Sequence, residues 1–147
     1  MKRSQRLTPV IDIATKATEA ALTKVGQANS TWLKEKQQLD DLHRYKGEYL
    51  AKFRQGDTLI MSAQKVLELR GFLSQLDQAI NAQQEQVSLR YKQLEQQRMN
   101  WQQVRIKEEA MQSLSDRYQT EEQQVESKKE QNESDELNTS KWHRRQR

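Results

Sequence analysis

The chain has 147 residues, of which 33% are hydrophobic and 31% charged, with 22 glutamines, a formal net charge of +4 and no cysteine. So small an apolar fraction is buried efficiently only along a narrow seam between long helices, and the lack of cysteine excludes disulfides, thiolate metal sites and cysteine nucleophiles. No apolar run approaches the roughly 20 residues that span a bilayer, and the basic N-terminus lacks the apolar stretch of a signal peptide, so the chain reads as unsecreted, with no direct membrane insertion.

With four glycines and one proline in a background of Ala, Leu, Gln, Glu, Lys and Arg, extended helix is favoured throughout. Residues 1–7 read as a short basic arm. Thr8 then stands as a plausible N-cap with Pro9 at the first helical position, where its missing N–H costs nothing. From there Ile11, Ala14, Thr18, Ala21, Val25, Ala28, Trp32, Glu35, Leu39, Leu42, Lys46, Tyr49 and Phe53 step by alternating threes and fours, and ten of these thirteen are apolar or aromatic. That spacing predicts one strand of a coiled coil over residues 8–54. Asp40 with Arg44, four residues apart and acid first, adds a small electrostatic increment.

The step breaks at residues 55–61, where Gly56 suits a left-handed helix end. A second helix is expected over residues 62–127, with Val66, Leu69, Leu73, Leu76, Ile80, Gln83, Val87, Arg90, Leu94, Gln97, Trp101, Val104, Glu108 and Met111 on its seam. Beyond Met111 the next apolar residues, Leu114, Tyr118 and Val125, require a skipped position and read as a local stammer. A short turn between long helices implies antiparallel pairing, with partner numbers adding to about 118 or 119, roughly an eight-residue turn. Phe53 would face Val66, and Leu39 would face Ile80. Residues 109–127 are left without a partner, and residues 128–147 form a charged tail expected to be disordered. The fold class is therefore all-α, a long antiparallel two-helix coiled-coil hairpin with an overhanging second helix.

Such an extended pair offers no pocket for chemistry. His43 and His143 have no neighbours at metal-ligand spacing, and the isolated glycines open no phosphate-binding loop. Carboxylates on solvated helix faces keep ordinary acidity, so no general acid or base is set apart. The expectation is a non-enzymatic chain without a cofactor. Its basic residues cluster as Lys2, Arg3 and Arg6 at one end and Lys141, Arg144, Arg145 and Arg147 at the other, not along one face, so no nucleic-acid partner is expected. One stretch exceeds what a hairpin needs. Phe72, Leu76, Ala79 and Gln83 lie along one side at three- and four-residue steps, partly outside the seam, and fit either a thickened core or a partner-binding patch. Leu42, Tyr45 and Tyr49 fall opposite them. The second helix's free end and Trp142, set among basic residues, are further candidates for protein contact.

These residues also carry a family resemblance. The Leu42-x-x-Tyr45-x-x-x-Tyr49 segment, the Gly56 turn and the Phe72-Leu73-x-x-Leu76-x-x-Ala79-Ile80 stretch come first. Trp101 with Arg105-x-Lys107, Leu114-x-x-Arg117, and Lys128-Lys129-x-Gln131 before Asp135-Glu136 follow in order. Together they resemble FliJ-type proteins of the bacterial flagellar export apparatus over nearly the whole chain. The resemblance implies a cytoplasmic stalk, peripheral to the inner membrane at the flagellar base. It would bind and activate the hexameric flagellar export ATPase, contact the cytoplasmic domain of the membrane export gate, and handle export chaperones. Carried over by motif, the gate-facing residues are Gln38, Leu42, Tyr45, Tyr49, Phe72, Leu76, Ala79 and Gln83, the last standing where the family can carry histidine. The alternatives are the equivalent stalk of a virulence-type secretion system, a nucleic-acid-binding coiled coil, and a purely structural oligomer.

Overall fold

The computed structural model describes residues 1–55 and 62–145. They form two α-helices, α1 (Arg3–Gln55) and α2 (Ala63–Arg145), and no strand among the described residues. The two pack antiparallel, as the all-α hairpin reading requires. The expected turn at Gly56 lies outside the described residues. Ser62 caps α2, its hydroxyl oxygen accepting the Lys65 N–H at 3.2 Å while its carbonyl accepts the Val66 N–H, which satisfies amides that have no partner inside the helix.

The chain divides into two compact units, one of Ala21–Trp101 and one of Met1–Ala20 with Gln102–Arg147. The first holds all five apolar residues that are buried among the described residues, Ala21, Leu69, Leu76, Ile80 and Leu94. Every seam position named from the sequence in this unit is buried or half-buried. Contacts across the seam nevertheless correct its register. Trp32 meets Tyr91, Tyr49 meets Phe72, and Lys46 pairs with Asp77, with numbers that add to between 121 and 123, while Gln83 reaches Glu35 and Phe72 reaches Tyr45 at sums of 118 and 117, so the contacts centre above the expected 118 or 119. The reason lies in antiparallel geometry, where the two seam positions of each heptad alternate and unlike positions share a layer, half a heptad from the like-with-like pairing assumed. Counted at a sum of 122, Leu39 falls level with Gln83, and Leu94 level with Ala28. Leu94 is fully buried, a large side chain opposite a small one, as close packing favours. Ala21 similarly lies level with Trp101.

The other unit departs further from expectation. Among its described residues only Ser4 and Ser115 are buried. Residues 3–7, expected as a loose arm, are the first turns of α1, and Pro9 lies inside the helix. Thr8 caps nothing; its hydroxyl bonds back to the Ser4 carbonyl at 3.4 Å. What holds this end is polar. The Gln5 side chain accepts the Lys2 N–H, and Glu122 accepts both the Ser4 N–H at 3.2 Å and the Ser4 hydroxyl at 2.7 Å. These contacts satisfy free amides of the first turn. The Arg3 guanidinium lies 5.6 Å from the centre of the Tyr118 ring, and Thr15 donates to Glu108. Met111, Ser115, Tyr118 and Glu122 keep the step of three and four without a stammer, all buried or half-buried. A serine and a glutamate occupy the seam there, so the apolar pattern hides it. The partnered stretch of α2 thus reaches Glu122, not residue 108. Residues 123–145 are helical and exposed, where a disordered tail was expected from residue 128. Among exposed pairs, Arg44 takes Asp41 at 2.6 Å in place of Asp40.

Replacing Leu94 by Ala removes a fully buried side chain and is expected to cost about 2–4 kcal/mol. Ile106→Ala, at a position 63% exposed, should stay within about 0.5 kcal/mol; urea unfolding followed by circular dichroism measures both. The Ser4 hydroxyl, followed by the Ser4 backbone, the Lys2 charge and the Arg3 backbone, holds the Glu122 carboxyl below its ordinary value of 4.5 against the opposing cost of burial. A depressed carboxyl contributes stability above its unfolded-state value and loses it as pH falls through the folded-state value. Amide-exchange protection of Ser4 and Gln5 should therefore drop below the ordinary carboxylate range, and Glu122→Gln should weaken it already at neutral pH.

Candidate protein-binding site

The eight residues expected to face a partner all lie in the Ala21–Trp101 unit, and the structure sorts them into three groups. Tyr45, Tyr49 and Phe72 come together. The Phe72 ring lies 4.5 Å from Tyr49, tilted, and 6.1 Å from Tyr45, centroid to centroid, the latter edge to face, an arrangement that aromatic quadrupoles favour. Tyr45 is 50% exposed while Tyr49 and Phe72 are half-buried, so the cluster shows an aromatic edge to solvent. Gln38 and Ala79 are exposed on the same side, beside the cluster.

Leu42, Leu76 and Gln83 belong to the seam. Leu76 is only 7% exposed, and Leu42 is half-buried. The Gln83 amide donates to the Glu35 carbonyl at 2.9 Å and to the Glu35 carboxylate, which satisfies a polar pair at a part-buried position. These three hold the surface in place more than they form it.

Counting by sevens explains the grouping. Gln38 and Tyr45 occupy one heptad position on α1, as do Phe72 and Ala79 on α2, and in an antiparallel pair these positions flank the seam on one side. The same count adds Lys52 and Lys65, which the sequence reading did not single out. Both line a groove of about 410 Å³ with Tyr49, Phe53, Glu68, Leu69 and Phe72. The signal was available seven residues on from Tyr45 and seven back from Phe72. A second ring pair was also missed. Trp32 and Tyr91 lie 5.6 Å apart, with the Lys36 ammonium 5.2 Å from the Trp32 ring. Trp32 read as a seam residue, and nothing in the apolar step marks Tyr91, one position off it.

Among the described residues, no three His, Cys, Asp or Glu side chains converge as a metal site, and no helix is long and apolar enough to cross a membrane. His43 is exposed, as its place on the helix predicts. The fold and site define a two-helix coiled-coil protein that presents an aromatic surface beside its seam. Its sequence matches the model of the flagellar FliJ protein family over residues 2–147, and the chain belongs to that family. It is accordingly a component of flagellar protein export, the flagellar of the two secretion readings. No curated protein sequence matches it.

Two substitutions separate surface from seam. Leu76→Ala, at a buried position, is expected to cost about 2–4 kcal/mol. Phe72→Ala, half-buried and losing two ring contacts, should cost about 1–2 kcal/mol and alter the near-ultraviolet dichroism of Tyr45 and Tyr49 while leaving the far-ultraviolet helix signal nearly intact.

Proposed function

We propose that this chain is the stalk of the flagellar export apparatus, a non-enzymatic protein that binds and activates the hexameric export ATPase and contacts the cytoplasmic domain of the export gate. It works in the cytoplasm at the flagellar base and also handles export chaperones. Family membership over residues 2–147 supports the export role. The observation that carries the gate contact is the solvent-facing cluster of Tyr45, Tyr49 and Phe72, whose rings meet across the two helices. Clustered, partly exposed aromatics on a fixed backbone are the usual anchors of protein recognition, because they bring large contact area at small entropic cost. Gln38 and Ala79 extend this surface, while Leu42, Leu76 and Gln83 hold it in register. The paired ends, where α1 is docked on α2 through Ser4 and Glu122, are the part proposed to enter the ATPase.

The purified chain should raise the rate and the hexamer fraction of the flagellar export ATPase from the same organism, and removal of residues 1–7 with those beyond 114 should abolish the effect. Tyr45→Ala with Phe72→Ala should weaken binding to the gate domain about tenfold or more and leave ATPase stimulation in place. No stimulation and no binding by the intact chain would overturn the stalk reading. Unchanged gate affinity in the double variant would move the gate contact elsewhere.

A further inference from the structure

Residues 123–145 of α2 are exposed on every side. Extending the seam step beyond Glu122 gives Val125, Lys129, Asn132, Glu136, Thr139 and His143, of which only the first is apolar. A second helix, from this chain or another, finds no stripe to pack against, so a coiled-coil partner does not suit this segment. Its charge is instead divided along its length. Lys128 and Lys129 stand beside Glu126, and Glu130, Glu133, Asp135 and Glu136 then form an acidic stretch. Lys141, Arg144 and Arg145 follow, with Arg147 two positions further on in the sequence.

Trp142 sits among these cations, 56% exposed, with the ring of His143 5.3 Å away. Among the described residues no carboxylate pairs with Lys141, Arg144 or Arg145. A helix C-terminus favours a cation or two in its last turn, but that effect gives no reason for an exposed indole. An indole with several unpaired cations does match the boundary of an anionic bilayer. The ring settles at headgroup depth, and each Lys or Arg near the surface strengthens attachment about fivefold. The acidic stretch before it is repelled by the same surface, which confines contact to the helix end.

We propose that the end of α2, residues 141–145 with Trp142 among them, docks on anionic phospholipid headgroups. The contact is superficial, since no described helix can cross a membrane. This deepens the proposed placement at the flagellar base, yet it is measured on the chain alone, so failure of the ATPase assay and failure of lipid binding are separate results.

The full chain is floated with vesicles of phosphatidylglycerol and phosphatidylethanolamine, and with neutral phosphatidylcholine vesicles, at low and at physiological salt. Binding is expected to the anionic vesicles only, weaker at the higher salt, with a blue shift of tryptophan emission that Trp142→Phe abolishes. Arg144→Glu with Arg145→Glu should lower the partition coefficient at least tenfold. Arg144→Lys with Arg145→Lys should preserve it, because a diffuse anionic surface does not demand the planar guanidinium. These side chains pack against nothing in the seam, so helix content should be unchanged in each variant. Equal binding to neutral vesicles would overturn the proposal, as would binding that survives the Glu variants. Retention on duplex DNA at salt that releases the vesicles would assign the segment to nucleic acid instead.

Discussion

The antiparallel seam, layered half a heptad away from like-with-like pairing, is the constraint on which the remaining features rest. It sets Leu94 level with Ala28 and Leu39 level with Gln83, and it brings Phe72 between Tyr45 and Tyr49. A change of register by one seam step would move Phe72 away from both rings and level a different set of residues with Leu94. The aromatic surface is therefore a consequence of register. Its rings occupy positions that flank the seam, and they meet only because the buried layers fix how the two helices slide.

The two units rely on different chemistry for that pairing. In the Ala21–Trp101 unit the buried residues are Ala21, Leu69, Leu76, Ile80 and Leu94, and burial of apolar surface supplies the drive. In the other unit the buried residues are Ser4 and Ser115, and the pairing is made by Glu122 on Ser4 and Glu108 on Thr15. Polar pairs of this kind add little net stability but penalise wrong partners, since a displaced Ser4 would leave its first-turn amide and hydroxyl unsatisfied. The docking of α1's first turns thus depends on the ionisation of Glu122 in a way that the Leu94 layer does not.

How much of this was legible follows from the same division. Where the seam is apolar, the positions named by the three-and-four step are all buried or half-buried, while Tyr91 and Asp77, which meet Trp32 and Lys46 from beside the step, escaped it. Where the seam is polar, at Ser4, Ser115 and Glu122, hydrophobicity gave no signal. The step seemed broken, and Thr8 and Pro9 imitated a helix start. Gln5, three residues after Lys2 and reaching back to its amide, was the local clue to the earlier start. The register error has a different origin, because the step fixes which residues face inward and says nothing of which layer they share. Leu76 and Gln83 share one stripe in the sequence, yet one is buried and the other is occupied by Glu35.

Membership of the flagellar FliJ family gives the fold its context, and the seam gives the aromatic surface its shape. Because the chain has no cysteine, two introduced thiols report register without interference, and a disulfide forms only where Cα atoms approach to about 4.4–6.8 Å. The decisive measurement is the rate of disulfide formation in Leu39→Cys with Gln83→Cys against Leu39→Cys with Ile80→Cys under mild oxidation. Rapid closure within one chain for the first pair and slow closure for the second is the result predicted here. Faster closure of the second pair would contradict the register, and with it the assembly of the surface around Phe72.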